Sequence, residues 1–114
     1  MATDRQKIRS AFAELRKDGI FARMSFRCCQ NCARYEIRVD KGDPKNFVFW
    51  TKQGDVVFDE EGFIDRRQPL HLYWSTESQE KTEQICATLE SHGLIVIRPE
   101  TVYESIQIVR SEGI

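Results

Sequence analysis

The chain has 114 residues, 40% of them hydrophobic and 31% charged, and a formal net charge of −1. That length suits a single domain, and the composition is too apolar for a disordered chain. The small net charge excludes a global field that would draw nucleic acid or an anionic membrane, so any such partner would need a local patch.

The opening stretch MATDRQKIRSAFAELRK is interrupted by charges throughout and has no apolar signal core. No apolar run approaches the ~18 residues of a membrane span, so the expected location is the cytoplasm, where thiols stay reduced. Ile8, Ala11, Phe12 and Leu15 fall at i, i+3, i+4 and i+7 and predict a first helix. Thr3 or Asp4 can cap its start, and Gly19 stands where a left-handed end is needed. Ile20 to Phe26 then alternates, with Ala22, Met24 and Phe26 on one side and Phe21, Arg23, Ser25 and Arg27 on the other, which predicts a strand.

The stretch FRCCQNC, residues 26 to 32, places three cysteines within five residues. After it, Tyr35, Ile37 and Val39 alternate with Arg34, Glu36, Arg38 and Asp40 and predict a second strand. KGDPKN, residues 41 to 46, is a turn. Phe47 to Thr51 is aromatic and β-branched and predicts a strand, ended by the QGD turn. Residues 55 to 68 fit either a short strand or one helical turn at Val56, Val57 and Phe58. Leu70 to Trp74 is a strand after Pro69. Residues 76 to 93 are a second helix, with Thr76 and Gln79 as a capping box and Gly93 at its end. Leu94 to Ile97 is apolar on both faces and predicts an interior strand, and Ser105 to Val109 a last one.

Aligning Gly19 with Gly93 matches Ala11, Phe12 and Leu15 with Ile85, Cys86 and Leu89. The chain then reads helix–strand–strand, a central pair of strands, and helix–strand–strand again. This predicts one α+β domain over residues 1–114, a single layer of mainly antiparallel sheet with two helices on one face.

The FxCCxxC motif between two strands, the stretch FVFWTKQGD, the strand LHLYWS and the late helix–GLxV segment together resemble a family of small bacterial proteins, a domain of unknown function. The likeness runs from about Phe12 to Val109. It implies a shared fold and carries no activity.

Four cysteines in a reducing compartment point to metal or thiol chemistry before a disulfide framework. Cys29 and Cys32 have the CxxC spacing of a redox pair, but such pairs lie at a helix N-terminus, and the alternation after Cys32 predicts none here. Arg27 and Arg34 could favour a thiolate instead. Zinc is the cofactor this pattern admits: a CxxC on a tight connector is half of a usual four-ligand site. No second CxxC exists. Cys28 beside Cys29 should point away in an extended backbone, and His71 and His92 are the remaining candidate ligands. The plain alternative is a hairpin cap in which Cys28 or Cys29 packs as a small hydrophobe. Cys86 lies on a helix stripe and belongs to the core. DEEGFID, residues 59 to 65, fails the calcium-loop template, because Gly62 at position six would put Val57 at position one and Gln68 at position twelve. No catalytic triad, phosphate loop or dinucleotide fingerprint is present.

Strand parity places Arg23, Arg27, Arg34 and Arg38 on one sheet face beside the cysteines, either solvated or receiving an anionic ligand or acidic protein. The sequence thus reads as a small binding or interaction module rather than an enzyme, with no membrane and no nucleic-acid partner. The rival reading is a thiol-redox or zinc-binding protein centred on Cys29 and Cys32, with Cys28 as a third member.

Overall fold

The first helix forms where its apolar stripe predicts it. In the computed structural model, which describes residues 2–111, α1 spans Asp4–Lys17. Thr3 Oγ1 accepts the N–H of Gln6 at 3.2 Å, and the Gln6 side-chain oxygen accepts the N–H of Thr3 at 2.9 Å, a reciprocal capping box. Asp4, the other candidate cap, is buried and accepts the N–H of Ile64 at 2.9 Å. At the far end Gly19 takes φ +85°. Its N–H bonds to the Arg16 carbonyl, and the Ile20 N–H to the Leu15 carbonyl, which is a Schellman end.

The strands are β1 (Phe21–Arg23), β2 (Phe47–Phe49), β3 (Leu70–Ser75), β4 (Ile95–Ile97) and β5 (Ile106–Val109), in the order β1-β2-β3-β5-β4. β1 and β2 are parallel, and the other neighbours are antiparallel. Two parallel strands cannot be joined by a tight turn and need a crossover segment. Here the crossover contains a helix, α2 (Gln30–Val39). The expected strand over Tyr35 to Val39 is therefore corrected. Ala33 and Ile37, four residues apart, are buried, whereas Tyr35 and Val39 are 58% and 53% exposed. The alternation in the sequence came from apolar residues that the fold leaves in water.

α3 spans Gln79–Ser91 and repeats the Schellman end of α1 at Gly93. Its N-cap is Ser78, which accepts the N–H of Lys81 at 3.3 Å. The expected cap, Thr76, has its hydroxyl paired with that of Thr82 instead. Residues 55 to 68, open in the sequence, contain the end of a 3-10 helix (Lys52–Val57) and an antiparallel bridge between Phe58 and Ile64. Asp59 Oδ1 accepts the N–H groups of Glu61, Gly62 and Phe63, each at 2.9 Å, so this acidic stretch is a self-bonded turn.

Register fixes the two faces. Ala22, Val48, Leu72, Trp74, Ile106 and Ile108 face a common core with Ile8, Phe12 and Leu15 of α1 and Ile85, Cys86 and Leu89 of α3. The two expected helices thus share one face of an α+β sheet. On the opposite face Phe47 and Phe49 form a second cluster with Ala33 and Ile37 of α2, flanked by Phe21, Phe26 and Tyr73. The expected interior position of Leu94 to Ile97 is also corrected. β5 inserts between β3 and β4, which leaves β4 at an edge with Ile95 and Ile97 exposed. No helix among the described residues is long and apolar enough to cross a membrane.

Leu15, Leu89 and Ile37 have at most 2% of their surface exposed. Replacing any of them by alanine should lower stability by about 2–5 kcal/mol, read from the denaturant midpoint. An Ile37→Ala variant as stable as the parent would mean that α2 does not pack on the second face.

Candidate metal centre

The cysteines occupy the join between β1 and α2. Ser25 and Arg27 take φ 49° and 61°, a left-handed conformation that side chains with a Cβ adopt rarely. This turn ends β1 at Arg23, short of the expected Phe26. Two backbone bonds fasten the turn to the chain leaving β2. Phe26 N–H donates to the Trp50 carbonyl at 2.7 Å, and Lys52 N–H donates to the Arg27 carbonyl at 2.9 Å. The Phe26 ring packs edge-on between Phe21 and Phe49, at 5.6 and 5.9 Å between centroids. The loop that carries the thiols is therefore held by main chain and by aromatic packing.

Cys29 is the N-cap of α2, with an extended backbone, and its carbonyl accepts the first helical bond from the Ala33 N–H at 3.0 Å. Cys32 lies in the first turn. Cys28 joins them, against the expectation that it would point away. The three sulfurs all lie within 4.8 Å of one another, and Cys28 Sγ is 3.9 Å from Cys29 Sγ. All three are free thiols. Cys28 and Cys32 are exposed and Cys29 is half-buried. Three close cysteines in this arrangement could hold a metal ion.

The sequence profile of a family described as a domain of unknown function, DUF6891, matches residues 1–112. The chain belongs to this family. No curated protein and no solved structure matches it. The resemblance read from FxCCxxC is thus right about the family, but in this member the motif lies between a strand and a helix rather than between two strands.

The helix changes the electrostatics of the motif. The first amides of a helix have no carbonyl partner and favour negative charge beside them. The Cys29 pKa is lowered, most by the Cys32 backbone N–H, then by the Cys32 and Cys28 thiols. The neighbouring Cys28 and Cys29 thiols push Cys32 up to about 11. The expected source of thiolate stabilisation, Arg27 and Arg34, is not the main one. Arg27 Nε pairs with Glu36 at 3.0 Å, and the Arg34 guanidinium sits 5.7 Å above the Phe47 ring. Sequence reading missed the amides because it predicted a strand. The spacing of Ala33 and Ile37, one face of a helix, was the signal for them.

The four arginines do not share a sheet face, which corrects that expectation. Arg23 lies on β1 over Phe21, Arg27 in the loop, and Arg34 and Arg38 on the exposed side of α2. Neither histidine joins the thiols. His71 Nδ1 bonds to Ser105 Oγ at 2.7 Å, and His92 Nε2 to Glu14 at 3.0 Å. Cys86 is 1% exposed, and burial pushes its thiol up to about 11.

With a lowered Cys29 and a raised Cys32, alkylation of the native protein should label Cys29 at lower pH than Cys32, with Cys86 silent until unfolding. Peptide mass mapping across a pH series gives the order, and early labelling of Cys86 or Cys32 would contradict it.

Proposed function

We propose that the chain is a metal-binding module in which Cys28, Cys29 and Cys32 hold one zinc ion and leave its fourth position for an exogenous ligand. The observation that carries this is the convergence of three sulfurs within 4.8 Å at one surface point. Two thiolates on one tetrahedral zinc lie roughly 3.8 Å apart, given Zn–S bonds of about 2.3 Å. The Cys28–Cys29 separation of 3.9 Å already matches that value, and no pair needs to close by more than about an ångström. No His, Asp or Glu among the described residues joins the three as a fourth ligand. Structural zinc sites are closed by four protein ligands, whereas three-ligand sites keep a position for water or substrate.

The site is also separate from what holds the fold together, since neither hydrophobic cluster includes any of the three cysteines. The exposed Arg34 and Arg38 favour an anionic fourth ligand, such as the carboxylate of an acidic partner.

Metal analysis and titration of the reduced protein should give one zinc per chain, lost in a Cys28→Ser, Cys29→Ser, Cys32→Ser variant. That variant should stay folded, because serine is itself a good N-cap for α2. Since thiolates are the binding form, affinity should fall as pH falls, by up to about tenfold per pH unit for each proton displaced. Equal zinc binding by parent and triple variant, or binding that does not weaken with acid, would refute the proposal.

A further inference from the structure

The same cluster carries a second chemistry that needs no metal. We propose that Cys29 and Cys32 act as a dithiol that reduces small anionic disulfides, with Cys28 outside the exchanging pair. A helix N-cap followed by a cysteine in the first turn is the placement that favours an attacking thiolate next to a resolving thiol. α2 provides it over ten residues, with Cys29 at the cap and Cys32 exposed in the first turn.

Covalent geometry removes the Cys28–Cys29 pairing, and the N-cap position selects Cys29 over Cys28 as the partner of Cys32. Adjacent Cα atoms across a trans peptide are about 3.8 Å apart, below the ~4.4–6.8 Å that a disulfide usually spans. The structure contains no cis peptide among the described residues, so a Cys28–Cys29 bond is disfavoured. Cys29 and Cys32, separated by two residues and with sulfurs already within 4.8 Å, can close.

The step balances with a disulfide R–S–S–R as the oxidant. The Cys29 thiolate attacks one sulfur, forms a Cys29–S–S–R mixed disulfide and releases R–S⁻. Cys32 gives its proton to that thiolate or to water and attacks Cys29 Sγ, which releases the second R–S⁻. The protein dithiol loses two electrons to a Cys29–Cys32 disulfide, and two thiols leave.

The preference for an anionic substrate follows from the surroundings. Residues 26 to 39 carry three arginines against one glutamate, and that glutamate, Glu36, is paired with Arg27 and Lys41. A groove of about 230 Å³ is lined by Gln30 and Arg34 of α2, Tyr73 of β3, Tyr103 and Glu104, whose Oε1 accepts the Glu100 N–H at 2.9 Å. Arg34, which lines that groove, and the exposed Arg38 are the charges that would draw an anionic disulfide to this segment.

The test uses metal-free reduced protein and three disulfides of similar size: dithiodiglycolate (anionic), hydroxyethyl disulfide (neutral) and cystamine (cationic). We expect a protein product two mass units lighter with Cys29 linked to Cys32. Dithiodiglycolate should react roughly tenfold faster than cystamine at low salt, with the difference shrinking as salt rises. Cys28→Ser should keep this exchange, and Cys32→Ser should stop at a mixed disulfide on Cys29. Linkage through Cys28, loss of exchange in Cys28→Ser, or indifference to substrate charge would overturn the inference. Zinc titration of the same samples separates the two proposals: exchange without zinc binding would refute the metal site alone, and zinc binding without exchange would refute the dithiol alone.

Discussion

The parallel pairing of β1 with β2 is the constraint on which the rest of this structure depends. Phe21 pairs with Phe47 and Arg23 with Phe49 in the same direction, so the chain must travel back along the sheet between them. It does so through α2, and three consequences follow. The second face over β1 and β2 becomes buried, with Phe47 and Phe49 packed under Ala33 and Ile37. A helix N-terminus comes to lie just beyond the carboxyl end of β1, a place where α/β folds commonly bind ligands. The three cysteines sit at that junction because they fill the few residues between the strand's end and the helix's first turn.

Much of this was legible in the sequence where a residue pattern had one structural meaning. The stripe of Ile8, Ala11, Phe12 and Leu15 could be a helix and little else, and Gly19 and Gly93 marked both helix ends because a left-handed end favours glycine. β2, β3 and β5 were legible from their β-branched and aromatic content. α2 was not, because QNCARYEIRV satisfies two periods at once. Ile37 belongs both to the alternation with Tyr35 and Val39 and to the helical pair with Ala33. Tertiary structure decides between them by burying Ala33 and exposing Tyr35. β4 was misplaced for a different reason. Its apolar composition says that it is a strand, but its position in the sheet is set by where β5 inserts, which no local pattern encodes.

The candidate site shows the same division. The identity of the cysteines and their CxxC spacing were visible, and so was the burial of Cys86 on its helix stripe. Their convergence was not, since it depends on the helix that begins at Gln30, where the alternation predicted a strand. Misreading α2 also produced the arginine face, because strand parity and helical spacing distribute Arg34 and Arg38 differently. Once the helix is in place, the cluster has an internal asymmetry. The amides of the first turn favour charge on Cys29, while its neighbours hold the proton on Cys32. A cation bound by all three sulfurs would remove that conflict by supplying the opposite charge, and a disulfide would remove it by consuming two of the thiols. The two fates use the same atoms and exclude one another.

The most direct test of the central claim, that α2 gathers three thiolates around one ion, is zinc K-edge X-ray absorption on the zinc-loaded protein. The account predicts three sulfur neighbours at about 2.3 Å and one lighter neighbour, oxygen or nitrogen, at a shorter distance. Two sulfurs or fewer would show that Cys28 stands outside the site. Four would show that a second chain completes it, and either count would contradict the claim.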